Sequence, residues 1–435
     1  MRLAVIGAGP AGSYAAYLAQ QKGHSVDVYE KATHIGGRTL SYRKDGFTHD
    51  TGAAFLTNFY KRVFKLAPEL RLGDSFFQLK SVNALSRGGE IAKLDLTSIG
   101  SFVRFPFLSF MDKLRLSFWV AGNTLNRSQY DLSDPETLVK DDVEDVVAYG
   151  NRVLGNETTE VILRSAVEPF WFFRSSDTSI ALTKALSAHA AGSSLYVLKG
   201  GIDQICIRLL SGLNVKLNAE VSSVTIDGET VSLSFDGETE RYDKVIIATT
   251  ASQAQKLIDA DAEGLYPRPL VDFIRTQEYS ANLHATFRIP IATAFTDARS
   301  VIPCHSGDRL IGDVSFHRDK RTGNEPDGEE LCSVSLTDLQ SRKMMELSEA
   351  DCFEEAWRMA REFVDFLPER AQPFHLSRRL EAIPMQTPGQ YQRAVLAQKA
   401  QRYAKLPVRF CGDYFTLPWI EGALSSAESA LFDLE

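Results

Sequence analysis

Three glycines and a carboxylate near the start of the chain have the spacing of a dinucleotide site. Leu3 to Ile6 reads as a buried strand, and Gly7-Ala8-Gly9-Pro10-Ala11-Gly12 as the turn that carries it into a helix. Glycine permits the tight turn, and a bare helix N-terminus after Gly9 offers free N–H groups and a positive dipole end to a pyrophosphate. Pro10 suits the first helical turn. The second strand, Val26 to Glu30, ends in an acid eighteen residues past Gly12, where it would accept hydrogen bonds from an adenosine ribose. A carboxylate there disfavours a 2′-phosphate, and so NADP. Next comes His34-Ile35-Gly36-Gly37-Arg38-Thr39, whose paired glycines allow close backbone approach to a phosphate and whose Arg38 supplies a guanidinium fork for it. That pairing selects FAD over NAD.

The elements that must hold these residues are discontinuous. At 435 residues the chain exceeds what one core serves, so two domains are expected. The first nucleotide-binding unit occupies residues 1–80 and includes Phe47-Thr-His-Asp50-Thr51-Gly52-Ala53-Ala54. The densely aromatic stretch Ile99 to Thr124, with Phe102, Phe105, Phe107, Phe110, Leu114, Phe118 and Trp119, opens a helical insertion that continues through Val139, Val143, Val146 and Tyr149. The chain returns near Ser193 with a helix over 201–210, a strand Val215 to Val221 and a hairpin Val224 to Phe235 broken at Asp227-Gly228. A second excursion over 266–374 holds strands Asn282 to Ile289, Leu310 to Phe316 and Cys332 to Leu336, then a long helix opened by a capping box at Ser348 and Asp351. His317 to Glu330, charged and glycine-broken, reads as a mobile surface loop and not a site.

Gly7 to Glu30 followed by Gly36-Gly37-Arg38 resembles the flavin amine oxidase superfamily, which includes protoporphyrinogen oxidases and carotenoid desaturases. Val245-Ile-Ile-Ala-Thr249-Thr250, Phe410-Cys-Gly412-Asp413 with Trp419-Ile420-Glu-Gly422-Ala423-Leu424, and Leu195-Tyr-Val-Leu-Lys199-Gly200-Gly201 are similar to later segments of that family, most closely its protoporphyrinogen-oxidase-like members. The resemblance implies an α/β fold: a Rossmann-like FAD-binding domain over 1–80, 193–265 and 375–435, with an inserted α+β substrate-binding domain over 81–192 and 266–374. It also implies cofactor contacts at Gly7, Gly9, Pro10, Ala11, Gly12, Glu30, Lys31, Gly36, Gly37, Arg38, Thr39, Thr51, Gly52, Ala53, Ala54, Val221, Thr249, Gly412, Asp413, Ile420, Gly422, Ala423 and Leu424. Family members with covalent flavin carry a cysteine in the segment matching Ser377 to Gln392; this chain has none there, so FAD is expected to be non-covalent.

The resemblance implies hydride removal by flavin N5 from a small, largely apolar or amine-bearing substrate, with oxygen or another acceptor taking the electrons. The cofactor carries that chemistry, so pocket shape outweighs any single side chain. Lys199, Arg174 and Tyr391 are candidates for catalytic or substrate contacts, with structural roles the competing reading for the two cations. Two alternatives stand beside oxidation: an isomerase that uses reduced flavin without net redox, and a protein in which FAD is structural or regulatory. The net charge of −8 argues against nucleic acid. The five cysteines and eight histidines lack metal-ligand spacing, so no metal is expected. No signal peptide or ~20-residue apolar span is evident, which predicts a cytoplasmic enzyme. The aromatic stretch 102–119 reads first as a packed inner face and second as a peripheral membrane contact.

Overall fold

The computed structural model describes residues 1–79, 82–95, 98–259, 264–291, 298–304, 310–432 and 434; the domain boundary expected at residues 80 and 81 lies outside them. β1 (Arg2–Ile6), α1 (Pro10–Gln21) and β2 (Ser25–Glu30) open a five-stranded parallel sheet. Its order is Asn214–Leu217, β2, β1, Lys244–Ile247 and Val408–Phe410, so segments from the start, middle and end of the chain share one sheet. Both faces are covered, as a parallel sheet requires. Leu3 and Val5 pack with Ala11, Ala15 and Leu424, whereas Ala4 and Ile6 pack with Val224, Val245 and Phe273.

A second, seven-stranded mixed sheet runs Gln372–Pro384, Tyr279–Pro290, Glu329–Leu336, Ile311–Phe316, Ser300–Pro303, Val82–Arg87 and Glu90–Asp95. The helix Glu349–Phe363 covers one face with Phe353, Trp357 and Ala360, and Ser348 caps it by accepting the Asp351 N–H. Gln372–Pro384 straddles the boundary expected at 374 and 375 and pairs along its length with Tyr279–Pro290. A helical layer over residues 99–189 packs around Phe105, Leu138, Trp171 and Leu182. The fold is thus α/β with an inserted α+β layer.

Three local readings are corrected. The strand expected over Val215 to Val221 is two strands in different sheets, because Asn218 turns the chain with φ +55 and Val221 opens the antiparallel Val221–Asp227. The helix expected from Gly201 starts at Gln204. His317 to Glu330 is no solvated loop: His317, Glu325 and Glu330 are buried, Arg318 pairs with Glu330 at 2.7 Å, and Glu325 accepts the N–H groups of Thr322 and Gly323. Glu325 and Glu330 turn inward and find partners within the segment. The packed-face reading of 102–119 holds for Phe105, Phe107 and Leu116, but Phe110 and Phe118 are 78% and 71% exposed.

Candidate functional site

The glycine turn after β1 is shaped by three different constraints. Gly7 has φ +104, where an L side chain is strained. A Cβ on Gly12 would stand 1.9 Å from the Gly7 carbonyl oxygen, so only glycine lets α1 approach the strand. Gly9 is neither strained, at φ −79, nor crowded, since a Cβ there meets nothing within 4 Å. Pro10 and Ala11 open the helix above this space. The Gly36-Gly37 turn folds back onto it: the Gly36 N–H donates to the Ala8 carbonyl at 3.0 Å, and a Cβ on Gly37 would lie 3.4 Å from the Gly9 Cα. Two phosphate-type turns therefore face one open cradle. Thr39 serves the second turn, its hydroxyl donating to the Gly36 carbonyl at 2.8 Å.

Glu30 is buried and its two oxygens accept from the Ala8 and Ala32 N–H groups, each at 2.8 Å. Every carboxylate oxygen retains a lone pair for a further donor. Lys31 beside it is exposed. The chain ahead of Val221 runs along this end, with the Ala219 N–H on the Glu30 carbonyl at 3.0 Å. Thr249 follows the Lys244–Ile247 strand, near Gly7, whose Cβ would meet the Ala248 carbonyl.

Arg38 joins the first motif to the last. Its Nη2 donates to Asp413 Oδ1 at 2.7 Å and its Nη1 to the Ala382 carbonyl at 3.2 Å, so part of the fork expected to face phosphate is held by protein. The Gly412 N–H donates to Ser426, and Thr416 donates to the Gly422 carbonyl, fixing the turn that opens helix Ile420–Ala430. Ala423 and Leu424 lie buried on that helix. Such an N-terminus favours negative charge placed before it.

The stretch Thr51 to Ala54 threads between these groups. The Ala53 N–H donates to the Arg38 carbonyl at 3.1 Å, and a Cβ on Gly52 would stand 2.1 Å from the same oxygen. Two cations that sequence reasoning missed hold its far side. Arg379 donates to the Thr51 carbonyl and hydroxyl, and Lys320 Nζ donates to the Ala54 carbonyl at 2.8 Å. Burial lowers both, Arg379 to about 10 with Arg38 adding repulsion. Among the described residues neither meets a carboxylate within 4.0 Å. Glu421 is also new: fully buried, it accepts from the Arg62 and Val63 N–H groups and pairs with the Arg62 guanidinium at 3.2 Å, clamping the last helix to Lys61–Leu66. Its position inside the Trp419 to Gly422 motif was the available signal.

The three catalytic candidates are not brought here. Lys199 is exposed, and Arg174 is 75% exposed in an ion pair with Asp177 at 2.9 Å. Tyr391 is fully buried in the helical core with Phe105 and Trp171, its N–H on Asp142 at 2.7 Å.

An open cradle between glycine turns, with two partly buried cations close by that form no ion pair among the described residues, fits an anionic dinucleotide. The model of the flavin-containing amine oxidoreductases matches residues 11–430. The chain belongs to that family. A 4,4′-diapophytoene desaturase (4,4′-diaponeurosporene-forming) of Staphylococcus aureus is 26% identical over 255 residues, 52% of this chain and 50% of that one. The corresponding Staphylococcus haemolyticus protein is 25% identical over the same shares. The match thus spans about half the length of these curated relatives. Among solved structures, a proposed protoporphyrinogen oxidase from Exiguobacterium sp. 255-15 superposes with TM-score 0.78 at 15% identity, covering 100% of this chain and 98% of that one. A cyclohexylamine oxidase from Brevibacterium oxydans IH-35A gives 0.73 at 16%, covering 99% and 97%. At such identities the likeness is one of fold.

Proposed function

We propose that this family member is an FAD-dependent oxidase or desaturase that holds its cofactor non-covalently and takes hydride from a small, largely apolar or amine-bearing substrate. The observation that carries the reading is the convergence of Arg379, Lys320 and the Asp413-paired Arg38 on the Thr51 to Ala54 backbone, beside the cradle at Gly9. In the proposed division of labour, the five-stranded layer binds FAD, and the seven-stranded and helical layers enclose substrate. FAD, when bound, would supply the hydride acceptor and the route for electrons to oxygen or another acceptor. The chain's own residues position and shield. Gly9 and Gly37 leave room for phosphate, Glu30 offers acceptors to a ribose, and helix Ile420–Ala430 aims its positive end at developing negative charge. Phe55 and Phe170, edge to face at 5.8 Å, extend an apolar wall from Ala54.

Non-covalent binding is supported by the thiols. All five cysteines are buried, and burial pushes Cys206 and Cys411 up to about 11 and about 12, far from a reactive thiolate. Acid denaturation of the purified protein should therefore release all the yellow chromophore into the supernatant; a yellow pellet would contradict non-covalent attachment. Lys320→Met removes a cation from a site of low dielectric and is expected to slow reoxidation of the reduced enzyme by oxygen at least about 10-fold. An unchanged rate would remove Lys320 from the site.

The reading includes contact with an anionic lipid surface. Helices Ile99–Arg104 and Phe110–Leu125 turn Ile99, Val103, Phe110, Met111, Phe118 and Leu125 outward, an apolar face left exposed among the described residues. Arg104, Lys113, Arg115 and Arg127 accompany one acid, Asp112, in this stretch of a chain whose net charge is −8. Local positive charge around an apolar face is complementary to anionic headgroups. Among the described residues no helix is long and apolar enough to cross a membrane, so the contact would be peripheral. Vesicles containing phosphatidylglycerol should co-sediment the protein, and Phe110→Ser with Phe118→Ser should reduce that binding at least about 10-fold. Equal binding by the double variant would refute the surface.

A further inference from the structure

Four of the eight histidines meet just upstream of the Thr51 to Ala54 backbone, although they lie far apart in sequence. The His49 ring stacks on His284 at 5.4 Å between centroids, and lies 5.3 Å from His317 and 5.8 Å from His375. Between two of them runs an unbroken hydrogen-bond chain. His49 Nε2 is 3.0 Å from Thr286 Oγ1, Thr286 Oγ1 is 2.9 Å from Ser333 Oγ, and Ser333 Oγ is 2.9 Å from His317 Nε2. All four residues are buried, and the Nδ1 atoms of both terminal rings have no hydrogen-bond partner among the described residues.

Counting protons fixes how this chain behaves. It has three links, and each hydroxyl has one proton to give, so the third must come from one histidine. If His49 Nε2–H donates to Thr286, Thr286 donates to Ser333 and Ser333 to a bare His317 Nε2; the reverse polarity is equally complete. The two neutral rings therefore hold opposite tautomers. A proton reaching Nδ1 of the ring that carries Nε2–H passes along the hydroxyls and leaves from Nδ1 of the other, reversing the polarity. Burial, with Lys320 and the neighbouring rings adding repulsion, lowers both imidazoles and keeps them neutral.

We propose that His49, Thr286, Ser333 and His317 form a proton relay between the flavin side of the site and the sheet edge. The proposal rests on the oxidase or desaturase reading. Forming a C=N or C=C bond sends the C–H pair away as hydride, while the adjacent N–H or C–H pair becomes the π bond and its proton is released. That proton must leave the site. His317 lines a cavity with Phe47, Thr48, Lys320 and Leu331, and Lys320 reaches Ala54. His49 lies under the half-buried His375, which stacks on Tyr42 at 4.4 Å on the edge strand Gln372–Pro384. The charged groups acting on these rings and their neighbours are Lys320, Arg299 and Arg379, with Asp50 and Asp313 beside Lys320.

The test is ¹⁵N-histidine NMR of the FAD-loaded protein, combined with reoxidation of the dithionite-reduced enzyme by oxygen, a step that consumes a proton as peroxide forms. A soluble quinone, which also takes up protons on reduction, replaces oxygen should oxygen not react. Opposite tautomers at His49 and His317 are expected in the wild type. Thr286→Val should uncouple them and slow reoxidation at least about 10-fold, and Thr286→Ser should restore both. Identical tautomers in the wild type would overturn the relay whatever the reaction, even if Thr286→Val fails to fold. An unchanged rate in Thr286→Val would overturn it while leaving the oxidase reading intact; a flavin that reacts with neither acceptor would fail that reading, with the tautomers then deciding whether the chain exists.

Discussion

Gly9→Val is expected to leave the fold standing and to remove the flavin. Glycine at this position has no need of an unusual backbone, since its φ is −79, and no neighbour forbids a side chain, since a Cβ meets nothing within 4 Å. What remains is the space itself, bounded by the N-terminus of α1 and the Gly36-Gly37 turn. A valine would occupy the volume a pyrophosphate needs. Affinity for FAD should fall at least about 100-fold, or roughly 3 kcal/mol, whereas apoprotein stability should fall by only about 1 kcal/mol, for a poorer N-cap. Gly12→Ala is the contrasting control, because its Cβ would collide with the Gly7 carbonyl oxygen at 1.9 Å and damage the fold directly. Calorimetric titration of each apoprotein with FAD, beside denaturant unfolding, separates the two. A Gly9→Val protein that binds FAD normally would show that the cradle serves something else.

The histidine cluster predicts a second large effect, on stability against pH. Burial pushes His284 down to about 3, with Arg379 and Lys320 adding repulsion, against an ordinary value of 6.5. The unfolded chain therefore takes up a proton near pH 6.5 that the folded ring refuses. His284 costs no stability from this source above pH 6.5, and stability is lost as pH falls from there toward 3, by ~1.4 kcal/mol per unit. Between pH 6.5 and 4.5 the loss is on the order of 2 to 3 kcal/mol from this ring. Buried carboxyls act the other way, because burial raises Asp50, Asp313, Glu330 and Glu421, which bind protons in the fold before they do in the unfolded chain. The clean measurement is a difference: the stability of wild type minus that of His284→Gln, by denaturant unfolding at each pH. That difference should shrink as pH falls from 6.5 to 4.5. A constant difference would mean that His284 titrates normally in the fold.

The parts legible in the sequence are those where local geometry dictates residue type. The glycine turn, Glu30 at the end of β2 and the Ser348 cap each leave a signature within a few residues, and each lies in the element expected of it. Lys320 and Arg379 left none. Their importance comes from where the seven-stranded sheet meets Thr51 to Ala54, a juxtaposition of segments more than two hundred residues apart that no local pattern encodes. The 317–330 segment departs from expectation for a related reason. Charge and glycine content describe a solvated loop as well as one whose Arg318 and Glu330 neutralise each other inside. The helix Phe110–Leu125 shows the same ambiguity in reverse, since its apolar positions could face a core or nothing, and Phe110 and Phe118 face outward. Likewise Lys199 precedes Gly-Gly, a place from which a cation could serve the site, yet the turn at Gly200 leaves it in solvent.

The most direct measurement is to reduce the purified, FAD-loaded protein without air, mix it with oxygenated buffer or a soluble quinone, and follow the yellow absorbance. Flavin that reduces and then returns to its oxidised colour with one of these acceptors is the expected result, rapid return in oxygen marking an oxidase and return only with quinone a desaturase. A colourless protein that cannot be reconstituted with FAD, or bound flavin that passes electrons to neither acceptor, would contradict the oxidoreductase assignment.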